Sequence, residues 1–204
     1  MLTVGPLQMN AYLLSAPETG EAILIDPGDE PDHLAQEVEA SGCRLTHLLC
    51  THGHFDHIGA AGPFQAYWDL PLLCHQNDVP LIENMPAIQA AYGFPDTPLP
   101  RFAADLEHGT SIPFAGKTLS VRHVPGHSPG HVMFVLATDA VVGDCIFAGS
   151  IGRTDLPGGS FAQLELSIRD QIYTLPEATR LYPGHGPTTT VAREKATNPF
   201  VTPR

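Results

Sequence analysis

The chain has 204 residues, of which 43% are hydrophobic and 16% are charged, as in ordinary globular proteins and unlike disordered segments. Its formal net charge is -12, with only ten Lys and Arg residues. This balance argues against nucleic acid as a partner, because phosphate binding needs clustered basic side chains. We expect one domain over residues 1–204, since this length suits a single compact α/β unit.

The cysteines and the N-terminal residues indicate a reduced, cytoplasmic environment. Cys43, Cys50, Cys74 and Cys145 stand singly, without CxxC pairs and without the cysteine density of a secreted disulfide scaffold. The first residues lack a basic region followed by an apolar run, and no stretch approaches the length of a membrane span. We therefore predict a cytoplasmic protein without a membrane partner. The sequence specifies no oligomeric state.

The first half of the chain alternates strand-like and helix-like segments. Residues 31–40 carry apolar side chains at helical spacing behind Pro31, which predicts a helix, and a second helix is expected over 60–68. Short β-branched or apolar runs predict strands at 10–14, 22–25, 45–50 and 72–74. Such alternation of strands and helices indicates an α/β fold.

The second half is predicted to be rich in strands after a proline-rich segment. Residues 77–100 contain five prolines, which favours short helical turns and an irregular surface loop bordering the site. A helix is expected over 161–173, where Leu164, Ile168 and Ile172 form one stripe. The predicted strands are 111–114 paired with 118–124, 132–137 paired with 141–142, and a short one at 180–182.

The main chemical signal is the segment His52-Gly53-His54-Phe55-Asp56-His57, with four potential metal ligands directly after a predicted strand. We interpret it as a loop and not as a helical face. In extended backbone, residues two apart point to the same side, so His52 and His54 can bind one ion and Asp56 and His57 a second. The apolar flanks argue against a merely His-rich surface loop.

Three more candidate ligands lie on loops at other strand ends, each among Gly or Pro residues: His127, Asp144 and His185. Five imidazoles and two carboxylates suit two borderline divalent cations, with zinc preferred and iron or manganese as alternatives. We assign His52, His54 and His127 to one ion, and Asp56, His57 and His185 to the other. Asp144 is assigned as a bridging carboxylate, and Asp56 and Asp144 are the predicted catalytic residues. Two ions about 3.5 to 4 Å apart would acidify a shared water for hydrolysis.

In their order and spacing, the motifs THGHFDH, PGHSPGH, GDCIF and YPGHGP resemble the metallo-β-lactamase superfamily. The segments PLQMNAYLL, IDPGDE, AGSIGRTDLPGG and GHGPTTTVAREKATNPF are similar to its small glyoxalase-II-like bacterial branch. This resemblance implies an α/β fold of the αββα type, a four-layer sandwich of two mixed sheets with helices on the outer faces. It also implies a thioesterase, in which hydroxide between the metals attacks the carbonyl of an S-2-hydroxyacyl-glutathione and a thiolate leaves.

Several alternatives remain open within the same fold. Longer glyoxalases II use a C-terminal helical domain to bind glutathione, and residues 186–204 do not provide one. A mononuclear iron persulfide dioxygenase is the first alternative, because Gly152-Arg153-Thr154-Asp155 resembles a segment of those enzymes, although Gly184-His185-Gly186 departs from their usual turn. A lactonase, another ester hydrolase or a β-lactamase would share the same ligands. A non-catalytic metal protein is disfavoured, since structural zinc sites are usually closed and rich in cysteine.

Two further residues have predicted roles beside the ligands. Asp26 resembles the aspartate of the family that hydrogen-bonds the HxHxDH loop, or alternatively it caps its own turn. Arg153 is the predicted substrate-binding residue, where it can meet a carboxylate bidentately, or else it pairs internally with Asp155. Cys145 is expected to point away from the metals, and His131 is assigned no ligand role.

Overall fold

A computed structural model describes residues 1–203, which form two six-stranded sheets with helices on their outer faces. The strands are β1 (Leu2–Val4), β2 (Met9–Ala16), β3 (Glu21–Ile25), β4 (Arg44–Leu49), β5 (Leu72–Leu73), β6 (Phe102–Ala103), β7 (Ser111–Phe114), β8 (Lys117–His123), β9 (Val132–Leu136), β10 (Asp139–Gly143), β11 (Ile146–Phe147), β12 (Ser150–Ile151), β13 (Arg180–Pro183) and β14 (Thr189–Thr190). The helices are α1 (Pro31–Ala40), α2 (Phe55–Ile58), α3 (Ala61–Phe64), α4 (Val79–Glu83), α5 (Met85–Tyr92), α6 (Phe161–Ser167) and α7 (Val191–Thr197).

Both sheets are mixed, and each belongs to one half of the chain. The N-terminal sheet has the order β1-β2-β3-β4-β5-β6, and the C-terminal sheet has the order β14-β13-β10-β9-β8-β7. In the first, β3, β4, β5 and β6 run parallel. In the second, β10 and β13 are the parallel pair. Parallel neighbours end at the same edge of a sheet, so the loops after them lie close together.

Three hydrophobic clusters correspond to the three interfaces of a four-layer sandwich. Along β3, Leu24 packs toward α1 in one cluster, whereas Ile23 and Ile25 face the other sheet in the central cluster. The third cluster lies beneath α6 and α7 on the outer face of the C-terminal sheet. This alternation is the period of two that a strand imposes on its side chains. The αββα prediction is confirmed.

Most predicted elements are present, but the helix expected over 60–68 was wrong in length. The helix in the structure is α3 and ends at Phe64, because the next residue, Gln65, hydrogen-bonds to the chain beside β6. The side-chain Nε2 of Gln65 donates to the carbonyls of Leu70 and Arg101, each at 2.8 Å. The helix predicted over 161–173 is α6 continued by a π-helical turn to Ile172.

The hairpin turns are tighter than predicted. Ala115 and Gly116 alone join β7 to β8, with φ of 51° and 70°, as a two-residue turn of type I′ requires. Ala137 and Thr138 alone join β9 to β10. Five further parts of the fold were not predicted from the sequence: β1, β6, the β11–β12 hairpin, β14 and α7. Arg204, the last residue of the predicted domain, lies outside the described residues.

Candidate metal centre

All seven predicted ligands come together at one edge of the sandwich, on loops that follow strands of both sheets. Asp56 and His57 lie on α2, a single helical turn, so the interpretation of the whole segment as a loop was wrong at that point. The turn lets the segment present donors in two directions within six residues. The groups whose donor atoms approach within 4.8 Å are His52, His54 and His127; His52, His57 and Asp144; and Asp56, His57 and His185.

Asp144 lies between the two outer triads. Its Oδ2 is 3.7 Å from His127 Nε2 and 3.7 Å from His185 Nε2, and its Oδ1 is 3.4 Å from His57 Nε2. At the opposite side, His185 Nε2 is 3.3 Å from Asp56 Oδ2. One carboxylate therefore faces donors of both triads, which is the arrangement that a bridging ligand needs.

The donor atoms at the centre of this cluster fit metal ions and lack other partners. Within residues 1–203, His52 Nε2, His57 Nε2 and Asp144 Oδ1 are buried without a hydrogen-bond partner. His54 Nδ1 and His127 Nε2 are 2.9 Å apart, as expected of two imidazoles converging on one point. Buried polar atoms without partners are costly, and two cations would satisfy them. The His and Asp donor set therefore fits a binuclear metal site.

The electrostatics of the cluster favour a positive ion. Burial lowers the pKa of His54 to about 3, and burial also lowers the pKa of His52 well below its ordinary value. At His57 burial acts in the same direction, but Asp144 and two further carboxylates outweigh it and raise the pKa well above the ordinary value. The neutral imidazoles of His52 and His54 keep their lone pairs free to bind a metal. The carboxylates around His57 concentrate negative charge that a cation would neutralise.

Asp26 orients the N-terminal ligand segment from beneath. It is fully buried, and its Oδ2 lies 3.0 Å from His57 Nδ1. The same carboxylate accepts hydrogen bonds from the Thr51 amide at 2.6 Å and the Thr51 hydroxyl at 2.8 Å. Asp26 thus fixes the His57 ring with Nε2 toward the cluster, as outer partners of metal ligands usually do.

Asp78, which the sequence analysis missed, ties the two ligand loops together. It is fully buried and accepts hydrogen bonds from the Gly53 amide at 2.9 Å, the Ser128 hydroxyl at 2.7 Å and the Gly130 amide at 2.5 Å. Gly53 separates two proposed ligands of the first triad, and Ser128 follows the third. Asp78 lies in the proline-rich segment 77–100, which has no periodic pattern, so the sequence carried no signal of this role.

The loop that carries His185 is held by the N-terminal sheet. Asn10 Nδ2 donates to the carbonyls of Pro183 at 3.1 Å and Gly186 at 2.9 Å, and the Tyr12 hydroxyl donates to the Pro183 carbonyl at 2.6 Å. The amide of Asn10 also donates to the Gly184 carbonyl at 2.7 Å. Two polar residues of β2, buried where the sheets meet, therefore position a predicted ligand of the C-terminal half.

His131 also belongs to this site, although it was assigned only a surface or core position. Its ring is buried and stacks on that of His52, with centroids 4.8 Å apart. Its Nε2 accepts the Asp144 amide at 3.1 Å. His131 therefore fixes the backbone of the residue between the triads. The repeated PGH in PGHSPGH was the available sequence signal.

Arg153 and Cys145 flank the centre in different ways. The Arg153 guanidinium is bidentate to Asp155, at 2.7 and 2.9 Å, and its side chain is 58% exposed, so the internal pair is present. Its carbonyl is 2.8 Å from His127 Nδ1, which orients that ring. Cys145 packs in the cluster beneath α6, away from the metal site as predicted.

Comparison with known proteins identifies the architecture. A model of the "Metallo-beta-lactamase superfamily" matches residues 4–185. "Hydroxyacylglutathione hydrolase GloC" of Haemophilus influenzae is 35% identical over 98% of this chain and 96% of its own. The crystal structure of TTHA1623 in a di-iron-bound form is 43% identical, covers 98% of each chain and has a TM-score of 0.86. That of the BLEG-1 B3 metallo-beta-lactamase is 36% identical, covers 98% of this chain and 97% of its own, and has a TM-score of 0.87.

Among residues 1–203, no helix combines the length and apolar character needed to cross a membrane. The fold, the paired triads and the match over most of the chain lead to one family. This chain belongs to the metallo-β-lactamase superfamily and is similar to its glyoxalase-II-like metallo-hydrolases.

Proposed function

We propose that the chain is a binuclear metal-dependent thioesterase that cleaves S-2-hydroxyacyl-glutathione-like thioesters. The observation that carries the proposal is the meeting of two triads at Asp144, with buried donor atoms left without partners. Two ions held there would acidify water and polarise a carbonyl oxygen. The similarity to a protein named hydroxyacylglutathione hydrolase favours a thioester as the substrate. Cytoplasmic location stays a prediction of the sequence.

In this proposal His52, His54 and His127 would hold one ion, Asp56, His57 and His185 would hold the other, and Asp144 would contribute a carboxylate between the two triads. Zinc is the preferred metal, because imidazole and carboxylate donors suit it, although a di-iron relative makes iron the direct competitor. Asp56 and Asp144 are the proposed catalytic residues, and they would supply the two carboxylates of the ligand set. Hydrolysis adds that water to the thioester carbonyl carbon, breaks the carbon–sulfur bond, and releases an acid and a thiol.

Arg153 is the proposed contact for a substrate carboxylate. Its guanidinium already holds Asp155 bidentately at the surface, so a carboxylate of glutathione would exchange with that partner. An exposed pair of this kind contributes little to stability and separates readily. The substrate is a small molecule, and no part of this proposal requires nucleic acid or a membrane.

Metal content and thioester hydrolysis should be measured together on protein purified without added metal. We expect about two metals per chain and hydrolysis of S-D-lactoylglutathione. His54→Ala and His185→Ala, one from each triad, should each lose most activity and part of the metal. His33→Ala on α1, remote from the cluster, is the matched control and should retain both.

Other outcomes would replace the proposal with a different function. One iron per chain, oxygen uptake with glutathione persulfide and indifference to His185→Ala would indicate the persulfide dioxygenase. Faster turnover of a cephalosporin or a lactone than of any thioester would indicate a β-lactamase, as the BLEG-1 similarity suggests, or a lactonase. Bound metal without turnover of any of these substrates would indicate a non-catalytic protein.

A further inference from the structure

A cavity of about 290 Å³ lies beside the metal centre, between the β1–β2 loop and the segment that follows α5. Leu7 borders it from the loop, Phe94 and Thr97 border it from the segment, and Gly28 and Asp56 lie between them. Its volume is near the lower end of the range for small-molecule sites. The cavity therefore suits one slim chemical group.

Two contacts connect this cavity directly to the proposed ligands. Asp56 belongs both to the second triad and to the cavity wall. Leu7 also lines the cavity, and its carbonyl lies 3.2 Å from His185 Nδ1. A group bound in the cavity would therefore lie next to Asp56, a proposed ligand, and next to Leu7, whose carbonyl contacts the proposed ligand His185.

The wall of the cavity is mostly apolar. Val4, Leu7, Met9, Phe55 and Phe94 supply aliphatic and aromatic surface. The ring of Phe55 lies 4.9 Å from that of Phe94, and these rings fix one side of the cavity. Such a lining favours hydrocarbon over a hydrated polar group.

The polar groups of the wall do not suit an anion. Gln89 Nε2 donates to Thr97 Oγ1 at 2.9 Å, so these side chains satisfy each other. The charged lining residues are Asp29 and Asp56, and no Lys, Arg or His is among the described lining residues. A carboxylate in this cavity would face the carboxylate of Asp29, with no Lys, Arg or His side chain of the described lining to pair with it.

We infer that this cavity binds an apolar acyl chain of the thioester substrate, with the thioester carbonyl at the metal centre. The inference rests on the proposed function and deepens it, because it specifies an acyl group longer than lactoyl and places the charged thiol carrier outside the cavity. Glutathione carries two carboxylates, which the acidic wall would repel. An unbranched alkyl chain fits both the volume and the apolar lining.

The test is a series of N-acetylcysteamine thioesters with acetyl, butyryl, hexanoyl and adipoyl groups. Burial of each added methylene should raise kcat/KM about fourfold. Adipoyl, as long as hexanoyl but ending in a carboxylate, should be hydrolysed at least tenfold less efficiently. Phe94→Ala should reduce the hexanoyl-to-acetyl ratio at least tenfold, whereas Phe200→Ala, an exposed phenylalanine near the C-terminus, should leave it unchanged.

A second measurement does not depend on turnover. Metal-free protein mixed with the hexanoyl thioester should show amide NMR shifts at Leu7, Gln89 and Thr97, and Phe94→Ala should abolish them. Thioester hydrolysis with no chain-length preference, or shifts confined to residues far from Leu7 and Thr97, would overturn the cavity assignment alone. Absence of hydrolysis of every thioester, with the shifts present, would overturn the proposed function and leave the cavity as an apolar binding site.

Discussion

The two halves of the sandwich contribute to the proposed metal centre in different ways. The N-terminal half supplies four of the seven donors from a single segment of six residues, 52–57. The C-terminal half supplies His127, Asp144 and His185 from three separate loops. The first set is nearly complete within local sequence, whereas the second set exists only after the strands have been ordered into a sheet.

The residues that orient the proposed ligands also differ between the two halves. The N-terminal segment is oriented from its own half by Asp26. The loop of His185 is held from the other half by Asn10 and Tyr12, and Asp78 joins the halves. The position of His185 therefore depends on the docking of the two sheets, which makes its loop the place to test the site.

The largest effect is expected from Gly184→Ala. A Cβ at this position would overlap Asp144 Oδ1 and the His57 ring, so both ligands would have to move. We expect metal content to fall well below that of the unchanged protein and kcat/KM to fall by at least about a hundredfold, since outer changes alone cost up to that much. Metal analysis and thioester hydrolysis would measure both.

Gly186→Ala is the matched control for Gly184→Ala, two residues along the same loop. Its φ is +74°, and nothing lies within 4 Å of an added Cβ, so the substitution adds about 1 kcal/mol of backbone strain without a collision. Metal content should remain. Equal metal loss in the two variants would mean that backbone strain, and not crowding at Asp144, controls the site.

Asp78→Ala should give the next largest effect. It would leave the buried donors of Gly53, Ser128 and Gly130 without an acceptor. Each lost partner costs about 1 to 3 kcal/mol, so we expect at least about 3 kcal/mol less stability in urea unfolding of the metal-free protein, together with weaker metal binding. Asp69→Ala, at a side chain 92% exposed, should change neither, and an equal loss there would contradict the role assigned to Asp78.

Tyr12→Phe tests the contact from the N-terminal sheet with a smaller change. It removes one buried hydrogen bond to the Pro183 carbonyl, which Asn10 still contacts. We expect a loss of about 1 kcal/mol in the free energy of unfolding and a modest loss of the ion at His185. Tyr182→Phe removes a partly buried hydroxyl contact with Asp139 and should retain that metal. Identical metal content in both variants would show that Asn10 suffices.

Arg153→Ala should have the smallest effect. Its carbonyl contact with His127 remains, and the guanidinium pair with Asp155 lies at the surface. We expect an unchanged unfolding midpoint and metal content, with KM for S-D-lactoylglutathione raised at most about fivefold and kcat unchanged. An unchanged KM would remove Arg153 from substrate binding and leave it as the partner of Asp155.

Local sequence patterns are enough to predict the layered α/β fold and the donor types of the candidate site. The alternation of apolar residues along β3 and the helical spacing of α1 are local patterns set by backbone geometry. The segment 52–57 has four potential metal ligands within six residues, and this density alone predicts a metal site. Glycine and proline around His127, Asp144 and His185 marked further loops at strand ends.

Long-range packing determines which distant groups meet and where α3 ends. Asp78 gains its role from contacts 25, 50 and 52 residues away, and no local pattern encodes such distances. Gln65 draws the chain out of α3 through the carbonyl of Arg101, which overrides local helix propensity. The cavity beside the metal centre likewise forms between separate segments, the β1–β2 loop and the residues after α5. Long-range packing, and not spacing along the chain, sets its walls.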